Sequence, residues 1–584
     1  MSKTSRLRAV ALMLALFVLG SCTDDPPPKN GGETEPELAT IEHLIDTPGH
    51  IEPSPVEIVT EGPDNWLEAG CELPFDILQR VRRGYYSGRS PDVLFVPREP
   101  NYRGNFPVAT THSGPWTYVQ EVPFVFYGPG FIRSRGPIIL DREVTLTDMS
   151  PTYAELMGAE FPEDRPGSPL EEVLLPESER NGTPKLIITV VWDGGGRNVL
   201  EAWPDSWPFL ESLINEGANV ENTTVGSSPS VTPAVHSTMG TGTFPRYHGI
   251  QNIPMRIKGR MTDSFPAGSP KYLETSTLAD LYDQATGNVA KIGSFSFKYF
   301  HLGMIGHGAY MEGGDKDLAI VARTKPGELS TNTDYYYLPE YLQSVPGFKR
   351  DIRAADLDDG KLDGRWFNEE DLSVMREQRN TPAWVRYQTR IIKEAIVREG
   401  FGDDDVTDLF YVNYKELDDV GHLFNMLYPE TRELIESNDE SLEDLVSFLD
   451  KEVGKNEYVL ALTADHGQTP TGLATGGWAI DLNNMQTDIA QRFGVKFEDL
   501  YLSQQSVGFW LRPETMQANG ITNEAISNFL LGYTLDENRG DEEEIGPLFD
   551  KRREELILSA AFPGDGLPEI WKCAQERRAE GTAD

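Results

Sequence analysis

The sequence predicts an α/β fold, a doubly wound and mostly parallel sheet held between helices. Two observations carry the prediction. Five apolar runs are rich in β-branched and aromatic residues: DVLFV (92–96), VPFVFYG (122–128), KLIITVVWDGG (185–195), DLFYVNY (408–414) and YVLALTADHG (458–467). Unbroken runs of this kind suit parallel strands covered on both faces. Between them lie amphipathic helical stretches such as SPTYAELMG (150–158) and WPFLESLINEG (207–217). Strand–helix alternation points to a parallel sheet, and functional groups in such sheets gather beyond the carboxyl ends of the strands. His112, Asp193, Asp418 and Asp465 each fall just after a predicted strand or in a loop beside one.

Taken in order, the chain opens with MSKTSRLRAVALMLALFVLGSC. Lys3, Arg6 and Arg8 precede an apolar core, Ala9 to Leu19, that is too short to span a bilayer as a mature helix. The run closes on Leu19-Gly20-Ser21-Cys22, which resembles a bacterial lipobox. It implies a lipoprotein signal peptide over 1–21, lipidation of Cys22 and an extracytoplasmic protein anchored to the cell envelope. Residues 22–45 are polar and rich in Pro, Gly and Glu, and read as a disordered tether. Two cysteines remain, Cys71 and Cys573. Export permits a disulfide between them that would tie together the ends of the mature domain; two unpaired buried thiols are the alternative.

The rest of the chain divides by texture. Residues 75–175 and 183–470 carry the strand and helix pattern. Within the second of these, 255–400 is rich in Gly, Asp, Tyr and Arg and reads as cap insertions over the site. Residues 471–584 form an additional region whose charged tail, DKRREELILSAAF, reads as helical. With 52 basic against 93 acidic residues, the net charge is −41. Such a surface repels nucleic-acid backbones, so no nucleic acid polymer is expected as a partner.

Four short stretches carry chemistry. In VVWDGGGRN, Asp193 ends a buried strand and three glycines let backbone approach closely. In SSPSVTPAVHSTMGTGTFPRYHGI (227–250), Thr232 precedes Pro233 at a helix start, where a hydroxyl meets free N–H groups suited to phosphate or sulfate; a simple N-cap is the competing reading. In ELDDVGHLF, Asp418 and His422 are four apart and share one helical face, so both can grip one cation. In TADHGQTP, Asp465 and His466 follow a strand and can bind one ion from a loop.

Together these stretches resemble the alkaline phosphatase superfamily, in its type I phosphodiesterase/nucleotide pyrophosphatase-like branch. The family's nucleophile motif has a threonine, a histidine four residues on, then T-G-x-x-P-x-x-H-G-I. Here these are Thr232, His236, Thr241-Gly242, Pro245 and His248-Gly249-Ile250, followed by D-x-x-G-H at 418–422 and D-H-G at 465–467. The resemblance implies an alkaline phosphatase-like fold and two divalent ions, zinc first and manganese second. One ion takes Asp193, Thr232, Asp465 and His466. The other takes Asp418, His422 and a further histidine that in the family follows D-H-G. No histidine follows His466 in this chain.

The stretch TTHSGPWTYVQEVPFVFYGPG (110–130) supplies the missing donor, since it resembles the family's C-terminal T-H-G element and its strand. YYSGRSPDVLFV resembles the preceding strand, and VTLTDMSPTYAELMG (144–158) the helix that follows. This order implies a circular permutation, with the join near LPESERNGTPK (175–185) and His112 as the seventh position. The T-H-G element carries an inserted serine here. An asparagine that holds phosphate in the family maps to Asn252, four rather than five residues after His248. His301 and His307 fall outside the motifs and read as structural or as lining the substrate pocket.

The expected activity is therefore a metal-dependent phosphodiesterase or nucleotide pyrophosphatase acting on small phosphate esters through Thr232. Phosphomonoesterase and phosphonate hydrolase activities stay open. Threonine argues against a formylglycine sulfatase, which needs Cys or Ser. A cell-surface binding protein on an inactive hydrolase fold would be expected to lack a donor or the nucleophile.

Overall fold

The computed structural model describes residues 58–581, apart from 105–109, 323–327, 368–369, 376, 506 and 541–548. The expected signal segment, Cys22 and the tether lie outside the described residues. The strands used below are β1 (Val93–Pro97), β2 (Phe124–Tyr127), β3 (Gly136–Ile138), β4 (Leu186–Trp192), β5 (Ala218–Val220), β6 (Ile292–Ser296), β7 (Asp317–Ala322), β8 (Leu329–Ser330), β9 (Asp408–Tyr414), β10 (Tyr458–Thr463), β11 (Tyr501–Gln505), β12 (Gly508–Leu511) and β13 (Leu558–Pro563).

The main sheet has ten strands, in the order β8-β7-β6-β9-β4-β10-β2-β5-β3, with the short strand Tyr336–Tyr337 also on β7. Its centre is parallel: β7, β6, β9, β4 and β10 all run one way. Every residue of β4, β9 and β10 is buried. Their side chains alternate between two cores. Leu186, Ile188, Val190 and Trp192 pack with Val412 and Leu460 on one face. Ile187 and Val191 pack with Tyr411 and Val459 on the other. Burying each such side chain contributes about 1.5–3 kcal/mol, so helices must cover both faces. Helices Pro208–Glu216 and Met149–Met157 contribute to opposite faces, through Leu210 and Leu213 in the first core and Met149 and Tyr153 in the second.

Two runs expected to be parallel strands are antiparallel. β2 runs against β10, with Phe124 opposite Thr463. That reversal matters, because the amino-terminal end of β2 then lies at the edge where β4, β9 and β10 have their carboxyl ends. The loop carrying His112 is delivered there. β1 lies outside the main sheet, in a second sheet of order β11-β12-β1-β13, and is antiparallel to both neighbours. An apolar run buried on both faces reads alike whether its neighbours are parallel or not.

The second sheet joins the two ends of the described chain. Helices Trp66–Cys71 and Leu567–Ala579 pack beside it, and a Cys71–Cys573 disulfide links them with a Cα–Cα distance of 5.7 Å. The tail DKRREELILSAAF, expected to be helical, instead gives a short turn at Asp550–Arg552 and then β13. Pairing with β1 on one core overrides the helix propensity of the charged residues. The region 255–400, which read as cap insertions, supplies β6, β7 and β8 to the main sheet. Among the described residues no helix is long and apolar enough to cross a membrane.

Candidate active site

The register of the central strands sets the site. β4 and β9 align Trp192 with Tyr414, and β4 and β10 align Val191 with Thr463. One residue beyond Trp192 and Tyr414, and two beyond Thr463, Asp193, Lys415 and Asp465 therefore emerge together at the carboxyl edge. Asp193 N–H donates to the Tyr414 carbonyl at 2.8 Å. Glycines then turn the chain away. Gly194 has φ +71°, and a Cβ on Gly196 would stand 2.3 Å from Gly467 Cα. The β4 and β10 turns can meet only with glycine there.

Two donor groups converge at this edge. One comprises Asp193, Asp465 and His466; the other comprises His112, Asp418 and His422; within each, the donor atoms lie within 4.8 Å of one another. Asp418 and His422 share one face of the helix Glu416–Leu423. The two groups touch, for the His112 and His466 rings stack at 3.4 Å with 3° between planes.

Hydrogen bonding fixes the ring tautomers. His112 Nδ1 donates to the Ser230 carbonyl at 2.7 Å, His422 Nδ1 to the Thr110 carbonyl at 2.8 Å and His466 Nδ1 to the Gly467 carbonyl at 2.9 Å. Each ring thus carries its proton on Nδ1 and turns the Nε2 lone pair inward. Those lone pairs face carboxylates. His112 and His422 Nε2 are each 3.4 Å from Asp418 Oδ1, and His466 Nε2 is 3.4 Å from Asp465 Oδ2. Asp418 Oδ1, Asp465 Oδ2 and His466 Nε2 are buried and make no hydrogen bond. Lone pairs facing one another across such distances repel unless a cation lies between them. The donor set therefore fits divalent metal ions.

Thr232 opens the buried helix Thr232–Thr241 and is its first helical residue; Val231 holds the cap position. The hydroxyl is not a cap. Instead, Lys415 Nζ donates to Thr232 Oγ1 at 3.3 Å and to Asp193 Oδ1 at 2.8 Å, and also contacts Asp418 Oδ2. This fully buried lysine bridges both donor groups and the threonine. Sequence motifs did not single it out. The available signal was a lysine directly after a buried central strand, in register with Asp193.

A further ring of contacts holds Asp193. Asn413 Nδ2 donates to Asp193 Oδ2 at 2.8 Å. His301 Nδ1 accepts from Phe297 N and Lys298 N, so its Nε2 carries the proton and faces Asp193 Oδ2 at 3.4 Å. His236 Nδ1 donates to the Thr232 carbonyl at 2.9 Å, which leaves Nε2 to accept from Asn413 at 3.1 Å. His301 thus sits behind the donor cluster, whereas His307 pairs with Asp280 on a different element. Asn252 accepts from Ile253 N and contacts Gln505 of β11, and makes no hydrogen bond to the donor cluster.

Charge among the protein groups alone is uneven. Burial opposes ionisation of Asp193, but the Lys415 ammonium together with His301 and His466 outweighs it and holds Asp193 well below the usual carboxylate range. Asp418 is likewise lowered against burial, chiefly by Lys415. Asp465 is pushed well up by burial and by Asp193. Burial lowers His466, in keeping with a neutral ring. Two ionised carboxylates, Asp193 and Asp418, against one ammonium leave net negative charge for cations to neutralise, and a cation beside Asp465 would favour its ionisation too.

A family model described as type I phosphodiesterase / nucleotide pyrophosphatase matches residues 187–531, more than half of the chain. The chain is 25% identical over 412 residues to a protein of Myroides odoratus named calcium-transporting ATPase, covering 60% of this chain and 73% of that protein. It is 26% identical over 312 residues to alkaline phosphatase PhoV of Synechococcus elongatus, covering 44% of this chain and 54% of the relative. The crystal structure of alkaline phosphatase PafA superposes with a TM-score of 0.46 at 17% identity, over 65% of this chain and 84% of that one. With the family model spanning most of the strands that build the site, the chain belongs to the type I phosphodiesterase/nucleotide pyrophosphatase family and is a phosphoric ester hydrolase.

Proposed function

We propose that the chain is a two-metal phosphodiesterase or nucleotide pyrophosphatase in which Thr232 is the nucleophile. The observation that carries this reading is the set of inward Nε2 lone pairs and carboxylate oxygens beside the Thr232 hydroxyl. Asp193, Thr232, Asp465 and His466 would hold one ion; His112, Asp418 and His422 would hold the other. Mixed imidazole and carboxylate donors suit zinc, with manganese second. When bound, the ions supply Lewis-acid stabilisation of charge on the attacking and leaving oxygens and lower the pKa of water.

The chain's own residues do the rest. Lys415 keeps the Thr232 hydroxyl oriented by donating to Oγ1, and favours its alkoxide. Thr232 Oγ bonds to phosphorus as the ester P–O bond breaks, and the alcohol or nucleotide leaves with a proton. Water then displaces Thr232 from phosphorus, releasing phosphate or phosphomonoester and restoring the hydroxyl. Asn413 and His301 hold Asp193 still through both steps.

Two structural readings belong with this proposal. The segment carrying His112 and β2 is the family's C-terminal element, displaced ahead of the rest by circular permutation; it lies upstream of the region the family model matches. The enzyme is extracytoplasmic and anchored through Cys22. A phosphomonoesterase is the second reading, favoured by sequence similarity to two proteins named alkaline phosphatases, PhoV and PafA. Hydrolysis of an aryl phosphate monoester, a diester and a nucleotide by zinc-loaded enzyme separates them. The first reading expects the diester or nucleotide to give the highest kcat/KM; a clear monoester preference would replace it with the second.

A further inference from the structure

At the opposite edge of the main sheet, three carboxylates come together. Asp283 is in the last turn of the helix Leu278–Ala285, Asp315 lies in the loop before β7, and Asp317 is the first residue of β7. One oxygen of each lies within 4.8 Å of the others. Because β7 runs parallel to β6, β9 and β4, its first residue is a sheet's width from Asp193.

Clustering alone would mean little on so acidic a chain. The second observation is that Asp283, only 5% exposed, has an Oδ1 that is buried and makes no hydrogen bond. Such an atom has given up water without recompense. Asp317 is 7% exposed, while Asp315 faces solvent. Among the described residues no cation forms an ion pair with these carboxylates. His307 is spent on Asp280, to which Nδ1 donates at 2.8 Å, while its Nε2 donates to the Leu273 carbonyl at 2.9 Å. Lys316 turns its ammonium to the Thr333 carbonyl.

We propose that Asp283, Asp315 and Asp317 bind a hard divalent cation, calcium above all, at a site separate from the phosphoryl-transfer centre. All three donors are oxygens, which disfavours zinc and suits calcium or magnesium. One solvent-facing carboxylate leaves room for the several waters that calcium tolerates in a loose shell. The ion would pin the helix Leu278–Ala285 and the loop before β7 to the outer part of the sheet. β6, next to β7, leads directly into the turn that holds His301 against Asp193.

The test is thermal unfolding of chelator-treated full-length protein, with and without calcium chloride at about 1 mM. Wild type should gain roughly 4 °C or more. Asp315→Asn, a change at an exposed side chain that also relieves repulsion, should lose most of that gain while unfolding at no lower a temperature than wild type without calcium. Asp193→Asn, which damages the principal site, should keep the gain. The proposal is overturned if calcium leaves wild type unmoved, or if Asp315→Asn responds as wild type does. It is equally overturned if the gain disappears in Asp193→Asn but survives in Asp315→Asn, which would place calcium at the principal site. Stabilisation by acidification with no calcium response would mean that the carboxylates share a proton instead.

Discussion

The two donor groups at the carboxyl edge of the main sheet are built differently. Asp193, Asp465 and His466 come from the ends of adjacent parallel strands, so register alone brings them level. Asp418, His422 and His112 combine a helix after β9 with a loop more than three hundred residues upstream. That loop arrives only because β2 runs antiparallel to β10. The first group follows from the sheet; the second depends on one strand's direction. Lys415 touches an aspartate of each, and the stacked rings of His112 and His466 join them.

Substitutions separate the two. Thr232→Ala has the largest expected effect: a loss of kcat of at least about 10³-fold with the fold retained, read from steady-state kinetics and circular dichroism. Comparable turnover in that variant would remove the threonine mechanism from both groups at once. Lys415→Met should cost about 10²-fold or more in kcat, because it removes a preorganised donor at Thr232 and the cation shared by both groups. Lys415→Arg should recover part of the loss. If Lys415→Met changes only KM, the lysine binds substrate and does not orient the nucleophile.

Smaller effects test the frame around the groups. Reducing Cys71–Cys573 should lower stability by about 2–5 kcal/mol in urea unfolding, with activity in native buffer little changed, since the disulfide lies in the second sheet's region. His248, two residues before Ile250 on the helix–turn that follows Thr232, is held down to about 3 by burial. A histidine with a depressed folded-state pKa contributes stability that is full above its unfolded value near 6.5 and is lost as pH falls toward 3. Stability should therefore fall by up to about 4 kcal/mol between pH 6.5 and 3. His248→Asn should flatten that slope relative to wild type.

The parallel core was legible because β4, β9 and β10 are long apolar runs, rich in β-branched and aromatic residues, that are buried on both faces. The resemblance to the family's motifs picked out Asp193, Thr232, Asp418, His422, Asp465, His466 and the upstream His112 as a set, whereas each stretch read by itself left a turn, a cap or a surface residue open. Strand direction is not local, so β1 and β2 read as parallel. The tail over 558–563 read as helix because nothing near it in sequence reveals β1 as its partner. Lys415 and Asn413 escaped notice, and His301 read only as structural or pocket-lining, for a related reason. Their roles come from contact with Asp193, on another strand, and no spacing within one segment encodes that contact.

The central claim is that the upstream imidazole of His112 completes a metal site with Asp418 and His422. Metal content per chain, measured by mass spectrometry on zinc-loaded wild type and His112→Ala, tests it most directly. Two ions are expected in wild type and about one in the variant, the survivor being lost in turn on adding Asp465→Asn. Two tightly held ions in His112→Ala would contradict it.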